Sequence, residues 1–330
     1  SDYGISSRTL TECRYQKWYL HFSVLDVGRN RNMKKNRNYL FFITPGFVIY
    51  TIFAIIPVIY VVYLAFTNYT GMGKADFVGF ENFIRIFNDE RFTPAFFNAL
   101  KNNLKYLLCV WFIITPFQYF LAYFFFIKIP AYKYIKFMVF LPYVISSTII
   151  GFFATLLFNP NIGLLNTILK SLGMAQSAWF GNPSIAFKLL VLVIMWQGAG
   201  SGIMIFYANF MDIPQEIMEA CRVDGCTEWQ RFTRILLPLS LPSCASIIMM
   251  STIWALGVFD LPYILGGLNG GVGGSLDFAS MVFYRYTFGS GLDAKTNLGF
   301  GSAISVVMFL FMLVVTFLQN KVLNKFEYEN

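Results

Sequence analysis

The sequence has few charged residues and almost no histidine. Only 13% of its 330 residues are charged, whereas soluble domains carry about 25%. So few charges cannot cover a surface exposed to water, and hydrophobic residues make up 57% of the chain. Most of the outer surface is therefore expected to face lipid. The chain has a single histidine, His21, which excludes a histidine-rich metal site and argues against histidine catalysis within a membrane.

Cysteine is also scarce, and its spacing excludes the usual cysteine-based sites. No two cysteines form a CxxC pair, and none falls in a segment predicted to lie outside the cell, so neither a disulfide framework nor a metal motif is implied. The thiols are interpreted as small apolar fillers. The five cysteines are Cys13, Cys109, Cys221, Cys226 and Cys244.

The net charge of +8 does not indicate nucleic acid, because the basic residues flank apolar runs and form no continuous face. Six of these runs are long enough to cross a membrane. The sequence therefore predicts an all-α membrane protein with six transmembrane helices, the first of them kinked at Pro45 and Pro57. The predicted spans cover residues 39–66, 103–127, 137–158, 185–207, 239–265 and 302–319.

The segment between the first two spans, residues 67–102, predicts a short amphipathic helix. Its apolar residues recur near helical spacing, which favours a helix at the membrane interface or against the next span, although a cap on the water side fits equally well. The apolar residues are Phe77, Phe80, Phe83, Ile84 and Phe87.

The distribution of lysine and arginine predicts the orientation. With both termini in the cytoplasm, 16 of the 25 basic side chains lie on the cytoplasmic side, as the positive-inside rule requires. Residues 1–38 then form a basic cytoplasmic N-terminal segment, and residues 209–238 form the longest cytoplasmic connection.

This connection predicts two helices joined by a turn outside the membrane. Asp212 can cap the first helix, Pro214 suits its first turn, and Gly225 is placed to end it in the left-handed conformation. A second helix is expected from about Thr227 to Pro238. The first helix is too short to bury itself, so it packs into its own membrane domain or into a groove on a partner, and both possibilities stay open.

Residues 219–238 resemble the EAA motif of ABC importer permeases, with cysteine at two positions where that family has alanine. The motif reads Glu219-Ala220-Cys221, two residues, Asp224-Gly225-Cys226, then Phe232, Ile235 and Leu237-Pro238. Residues 78–83, 196–202, 266–274, 284–288 and 299–305 resemble the carbohydrate branch of that family, the maltose- and glycerol-phosphate-type permeases. The resemblance covers residues 39–325 as one permease domain.

The resemblance implies a type I ABC importer permease fold in the bacterial cell membrane, where the chain forms half of a pathway for a sugar or oligosaccharide. It implies three partners: a second, different permease subunit, an ATP-binding subunit dimer and an extracytoplasmic solute-binding protein. The chain has no GxxxxGK[ST] loop, so ATP and Mg are expected to bind to a separate ATPase. The chain itself is expected not to be an enzyme and to bind no cofactor or metal. The coupling residues implied are Glu216, Glu219, Ala220, Cys221, Asp224, Gly225 and Cys226.

Polar side chains within the spans are candidates for the substrate path. Asp260 is the clearest ionisable one; it can accept hydrogen bonds from sugar hydroxyls, or it can pair with a neighbouring helix or lie near interfacial water. Gln118, Gln197 and Trp254 follow, since amides and an aromatic face suit a sugar, although packing is the alternative for each. Gly198 and Gly202 share one helix face, which predicts close helix packing or, alternatively, a flexible gate.

The sequence argues against two other function classes. A membrane-embedded enzyme would need clustered histidine, acidic or Ser/Lys groups at membrane depth, which the sequence lacks. A secondary transporter or channel subunit would need coupling charges or a selectivity filter, and neither is evident.

Overall fold

The computed structural model describes residues 38–289 and 296–327. The predicted N-terminal segment therefore lies outside the described residues except for Asn38, and so do Cys13 and His21. Within the described part, regular structure is helical apart from one isolated bridge between Thr67 and Phe77, so the all-α prediction is confirmed. The described residues divide into two compact units, with the boundary between Ile59 and Tyr60.

The helices are short pieces that join into longer rods. In chain order they are α1 Asn38–Tyr50, α2 Ile56–Leu64, α3 Glu81–Asn88, α4 Phe92–Cys109, α5 Thr115–Phe126, α6 Tyr132–Val144, α7 Ser147–Leu157, α8 Leu164–Ser171, α9 Pro183–Met211, α10 Gln215–Val223, α11 Glu228–Arg231, α12 Leu237–Leu256, α13 Asp260–Gly266, α14 Ala279–Phe288 and α15 Leu298–Glu327. Three π turns, Thr51–Ile55, Val110–Ile114 and Phe232–Leu236, connect successive helices, and Trp179–Gly181 and Val272–Gly274 are 3-10 turns.

In the described part, five of these rods are long and apolar enough to cross a membrane. Their outer side chains fit lipid, as at Phe112 and Phe317, which are 73% and 70% exposed. The second rod begins eleven residues before the predicted span, because the polar stretch before residue 103 is also helical. The five rods are Phe42–Leu64, Phe92–Phe126, Pro183–Met211, Cys244–Gly266 and Leu298–Leu323.

The predicted third span, residues 137–158, is divided into two helices. α6 and α7 meet at 101°, and the count of six spans holds when this bent pair is taken as one. The bend is capped locally, since the Ser146 hydroxyl accepts a hydrogen bond from the Ile149 N–H and the Pro142 carbonyl accepts one from the Ile145 N–H. The bend therefore leaves these backbone groups satisfied.

Three of the prolines in helices that continue past them come just after a π turn. A proline has no N–H to bond the carbonyl four residues earlier, and its ring crowds that carbonyl. The π turn avoids the clash because the residue before each proline, namely Ile56, Thr115 or Leu237, bonds to the carbonyl five residues back. The helix therefore passes Pro57, Pro116 and Pro238 without ending, whereas Pro45 lies within α1.

The amphipathic helix predicted between the first two spans is present as α3, but its buried face differs from the prediction. Phe77 and Phe80 precede the helix and are exposed, whereas Asn82 and Ile86 are buried. The Asn82 amide donates to the carbonyls of Ala65 and Thr67 at 2.9 and 2.8 Å. A polar side chain thus satisfies the backbone where the chain leaves α2.

The centre of the second unit is α9, which packs against α5 and α6. Phe206 and Phe210 are fully buried, and Tyr119 of α5 meets both rings edge-on at centroid distances of 5.2 and 5.0 Å. At Gly200 a Cβ would lie 3.0 Å from the Cα of Phe140, so only glycine allows α6 to approach this closely. This packing fixes the helix that contributes most to the cavity described next.

Candidate substrate cavity and coupling loop

A cavity of about 520 Å³ lies among α4, α5, α6, α7, α9, α12 and α13. All four side chains predicted for a substrate path line it, although they come from three separate parts of the sequence: Gln118, Gln197, Trp254 and Asp260. Three serines and two tyrosines complete its polar lining, namely Ser147, Ser201, Ser251, Tyr106 and Tyr143. A concave, mainly apolar site with a few convergent polar groups is typical of small-molecule binding.

Gln118 is held in the wall of the cavity by α9. The side chain is buried, and its amide nitrogen donates to the Gly198 carbonyl at 3.1 Å. A Cβ at Gly202 would overlap the Gln118 carboxamide, whereas a Cβ at Gly198 would have no atom within 4 Å. The predicted close helix packing is therefore present at Gly202 but not at Gly198. Gly198 instead lines the cavity.

Gln197 joins α9 to the bend between α6 and α7. Its amide nitrogen donates to the Ser147 hydroxyl at 3.1 Å and to the Ile145 carbonyl at 3.4 Å. The side chain thus lines the cavity and also fixes the position of the bend. Gln197 can fix the bend through its amide nitrogen and still bind a ligand in the cavity, because its carboxamide oxygen is a separate acceptor.

Asp260 lies at a break in the fourth rod, Cys244–Gly266. α12 ends at Leu256, residues 257–259 are not helical, and α13 begins at Asp260. Asp260 and Trp254 are both exposed, and no cationic side chain of the described residues lies within 4.0 Å of the Asp260 carboxylate. The cavity thus presents a carboxylate acceptor and an indole face.

An asparagine that the sequence analysis missed holds this break in place. The Asn103 amide nitrogen donates to the Leu256 carbonyl at 3.1 Å, and its oxygen accepts from the Ala279 N–H at 2.9 Å. Asn103 is buried, so both bonds lie away from water, where a lost partner is costly. A single side chain therefore connects the end of α12 to the start of α14, on either side of Asp260.

The glycine-rich loop after α13 is held by further polar side chains. Asn98 and Asn102 donate to the Gly274 carbonyl at 2.9 and 3.0 Å. Asp277 and Arg285 form a buried ion pair of 2.8 Å, and burial is the main reason that the pKa of Asp277 is raised. The spacing of Asn98 and Asn102, four residues apart on one helix face, was the available signal.

Residues 209–238, named the coupling loop here after the role that the resemblance implies, contain α10, as the sequence predicted, but the helix starts differently. Pro214 precedes the helix and has no side-chain cap, and Asp212 instead follows the end of α9, so the predicted Asp212 cap is wrong. Gly225 has φ +72°, which confirms the left-handed end. Cys226 N–H bonds to the Cys221 carbonyl at 3.0 Å and Gly225 N–H bonds to the Arg222 carbonyl, so the helix ends in a Schellman motif.

The second helix of the loop begins as predicted and ends much later. Thr227 and Gln230 form a capping box at the start of α11. The helix does not stop at Pro238, because the π turn Phe232–Leu236 carries it directly into α12. The predicted boundary at Pro238 is therefore wrong, and the loop is continuous with α12, which forms the first part of the fourth rod.

A polar contact fastens the loop to the second rod. The Tyr123 hydroxyl donates to the Glu228 carboxylate at 2.8 Å, and Arg231 pairs with the same carboxylate. Phe232 packs on Tyr123 with a centroid distance of 4.8 Å. Together with buried Met218 of α10, these contacts hold the loop against α5 and α9.

The two faces of α10 differ in exposure. Met218 and Cys221 are buried and Cys226 is half-buried. The other residues of the predicted coupling set are exposed, and they are Glu216, Glu219, Ala220, Asp224 and Gly225. A short helix with one anchored face and one exposed face of acidic and small residues can dock into a groove of a second protein.

Comparison with known proteins agrees with this architecture. Residues 114–327 match the family of binding-protein-dependent transport system inner membrane components. The chain is 32% identical over 253 residues to the probable ABC transporter permease protein YurN of Bacillus subtilis, covering 74% of this chain and 82% of YurN. It is 30% identical over 261 residues to the arabinooligosaccharides transport system permease protein AraP of the same species, covering 78% and 79%.

The fold also matches a solved structure. A crystal structure of a bacterial ABC transporter that imports the acidic polysaccharide alginate aligns with a TM-score of 0.71 and 22% identity, covering 88% of this chain and 96% of that one. This likeness shows the fold of a type I ABC importer permease. With the cavity, the coupling loop and the matched residues, it follows that the chain belongs to the binding-protein-dependent transport system inner membrane component family, the membrane-embedded permeases of ABC transporters.

Proposed function

We propose that this permease carries a sugar or oligosaccharide inward, forms half of the transmembrane pathway and works by alternating access driven by a separate ATPase. The observation that carries the proposal is the coupling loop. Its helix α10 exposes one face and anchors the other, a short turn connects α10 to α11, and α11 continues through a π turn into α12. A displacement of α10 by a bound partner is therefore expected to move α12, which lines the cavity.

The proposal includes the partners and the orientation. An ATP-binding subunit dimer binds the exposed face of α10 and uses ATP and Mg, since the sequence has no phosphate loop of its own. A second, different permease subunit completes the pathway, and an extracytoplasmic solute-binding protein delivers the substrate. Both termini lie in the cytoplasm, in line with the excess of basic residues on that side.

The saccharide is proposed because of the cavity lining. The carboxamides of Gln118 and Gln197 and the carboxylate of Asp260 can bond sugar hydroxyls, and Trp254 offers an aromatic face to the apolar side of a sugar ring. The relative AraP, an arabinooligosaccharide permease, supports this substrate class. The second helix of the loop continues through a π turn into α12, and α12 lines the cavity, so the loop and the cavity are directly connected.

The test compares charge changes on and off α10. We expect Glu219→Lys to prevent ATPase assembly or to uncouple it while leaving membrane insertion intact, because Glu219 lies on the exposed face of α10. Asp212→Lys makes the same charge change just before the helix and is the matched control. Copurification of the ATPase and ATP-dependent uptake into vesicles are the measurements. Normal transport by Glu219→Lys would refute the coupling role, and uptake that persists without ATP would favour a secondary transporter or channel.

A further inference from the structure

The cavity carries charge of one sign only. Asp260 is the only acidic or basic side chain among the described residues that line it. The remaining polar groups are the uncharged amides, hydroxyls and indole already described, and they offer both donors and acceptors. A ligand with many hydroxyl groups can satisfy such a lining without bringing a charge of its own.

An anionic ligand would meet an unfavourable environment here. A uronate carboxylate would lie near the like charge of Asp260, with no lysine or arginine of the described lining to neutralise it. Two like charges about 6–8 Å apart at an effective dielectric of about 20 repel enough to change affinity roughly 30- to 100-fold before salt screening. Desolvation of the second carboxylate adds to the penalty.

From this lining we infer that the cavity selects saccharides by charge: it accepts uncharged saccharides and amino sugars and rejects acidic ones, with Asp260 as the specificity-determining residue. The inference rests on the proposed function and narrows it to a substrate class. An uncharged sugar gains a strong acceptor in Asp260, because hydrogen bonds to a carboxylate are about twice as strong as neutral ones. An ammonium group on an amino sugar gains an ion pair at the same place.

The test uses matched pairs of neutral and acidic trisaccharides. β-1,4-mannotriose and β-1,4-trimannuronate differ only at C6, and cellotriose and its uronate form a second pair. Saturation-transfer NMR on the full chain in lipid nanodiscs measures weak binding of each sugar. Asp260→Asn removes the charge with little change in shape, and Asp76→Asn removes an exposed carboxylate outside the cavity lining.

We expect the neutral member of a pair to bind at least tenfold more tightly than its uronate. Asp260→Asn should reduce this ratio to near one, whereas Asp76→Asn should leave it unchanged. Equal binding of both members by the parent chain, or an unchanged ratio in Asp260→Asn, would overturn the charge selection while the saccharide function stands. Binding of none of the four sugars by the folded parent chain would instead overturn the saccharide function and this inference with it.

A second inference comes from the two cysteines in the coupling loop. The Schellman motif brings residues five apart together at the end of a helix, and here both positions are cysteine, Cys221 and Cys226. Their backbone hydrogen bond of 3.0 Å brings the two residues close together, as a disulfide requires, since its Cα atoms lie roughly 4.4–6.8 Å apart. Cys221 is buried and Cys226 is half-buried, and the neighbouring Cys226 side chain is the main reason that the pKa of Cys221 is raised.

The geometry points to Cys221 and Cys226 as a dithiol site that a small-molecule disulfide, such as glutathione disulfide, closes into an intrachain disulfide. Half-buried Cys226 attacks as the thiolate and releases one glutathione thiol, which leaves a mixed disulfide. Buried Cys221 then loses its proton and attacks the Cys226 sulfur, and the second glutathione thiol leaves. The chain is oxidised by two electrons and glutathione disulfide is reduced to two glutathione molecules.

The site can be read by peptide mapping, because trypsin cleaves after Arg222, between the two cysteines. After treatment of the purified full chain with glutathione disulfide, we expect the two flanking tryptic peptides to be joined and to separate on reduction with dithiothreitol. Cys226→Ala, which restores the residue usual in the motif, should abolish the joined species. A stable glutathione adduct on Cys226, or unmodified thiols at both positions, would overturn the inference.

Discussion

Gly202→Ala is expected to damage the cavity, although it adds a single methyl group. The added Cβ would overlap the Gln118 carboxamide, which is buried and cannot simply swing into water. Gln118 must then move and lose its 3.1 Å hydrogen bond to the Gly198 carbonyl. Overpacking costs about 1–3 kcal/mol and the hydrogen bond about 1 kcal/mol, so the free energy of unfolding should fall by about 2–4 kcal/mol.

Gly198→Ala is the matched control on the same helix. A Cβ at Gly198 meets nothing within 4 Å, so this change should be neutral, or stabilising by up to about 1 kcal/mol through helix propensity. Thermal unfolding of the chain in detergent, followed by tryptophan fluorescence, compares the two variants. Gln118→Ala added to Gly202→Ala should recover part of the loss, since it removes the group that clashes. Equal melting temperatures for Gly198→Ala and Gly202→Ala would refute the reasoning.

Two further substitutions test the supports of the fold. Asn103→Leu leaves the Leu256 carbonyl and the Ala279 N–H without their partner, so the melting temperature should fall in the same assay by the equivalent of about 2–4 kcal/mol, and an unchanged value would contradict the role given to Asn103. The Phe92 N–H bond lowers the pKa of Asp89 below its ordinary value of 3.8. Asp89→Ala should therefore lower the melting temperature at neutral pH. The melting temperatures of parent and variant should converge as the pH falls below 3.8, because the carboxylate is then protonated. A difference that stays constant with pH would contradict the role given to Asp89.

Much of the architecture could be predicted because membrane crossing depends on long apolar runs and a few backbone requirements. The five rods coincide with predicted spans for this reason. The end of α10 at Gly225 was predictable because a left-handed residue there favours glycine. The cavity residues were predictable as a set because polar side chains within spans are costly and few.

The remaining features depend on contacts between distant segments, which a single sequence does not reveal. The break at Ser146 lies inside an unbroken apolar run, so hydropathy alone predicts one span there. Asn103 is an isolated polar residue until the carbonyl of Leu256 and the N–H of Ala279 are placed beside it. Pro238 was interpreted as a helix end because the sequence does not show that a π turn precedes it.

The most direct test of the account places a photo-crosslinking amino acid on the exposed face of α10 in native membranes. Val223 is 87% exposed and is the test position, and Met218, on the buried face of the same helix, is the control. The account predicts that position 223 crosslinks to a second polypeptide that carries an ATP-binding phosphate loop, identified by mass spectrometry, and that position 218 does not. Crosslinks from position 223 to its own chain alone would contradict the coupling role.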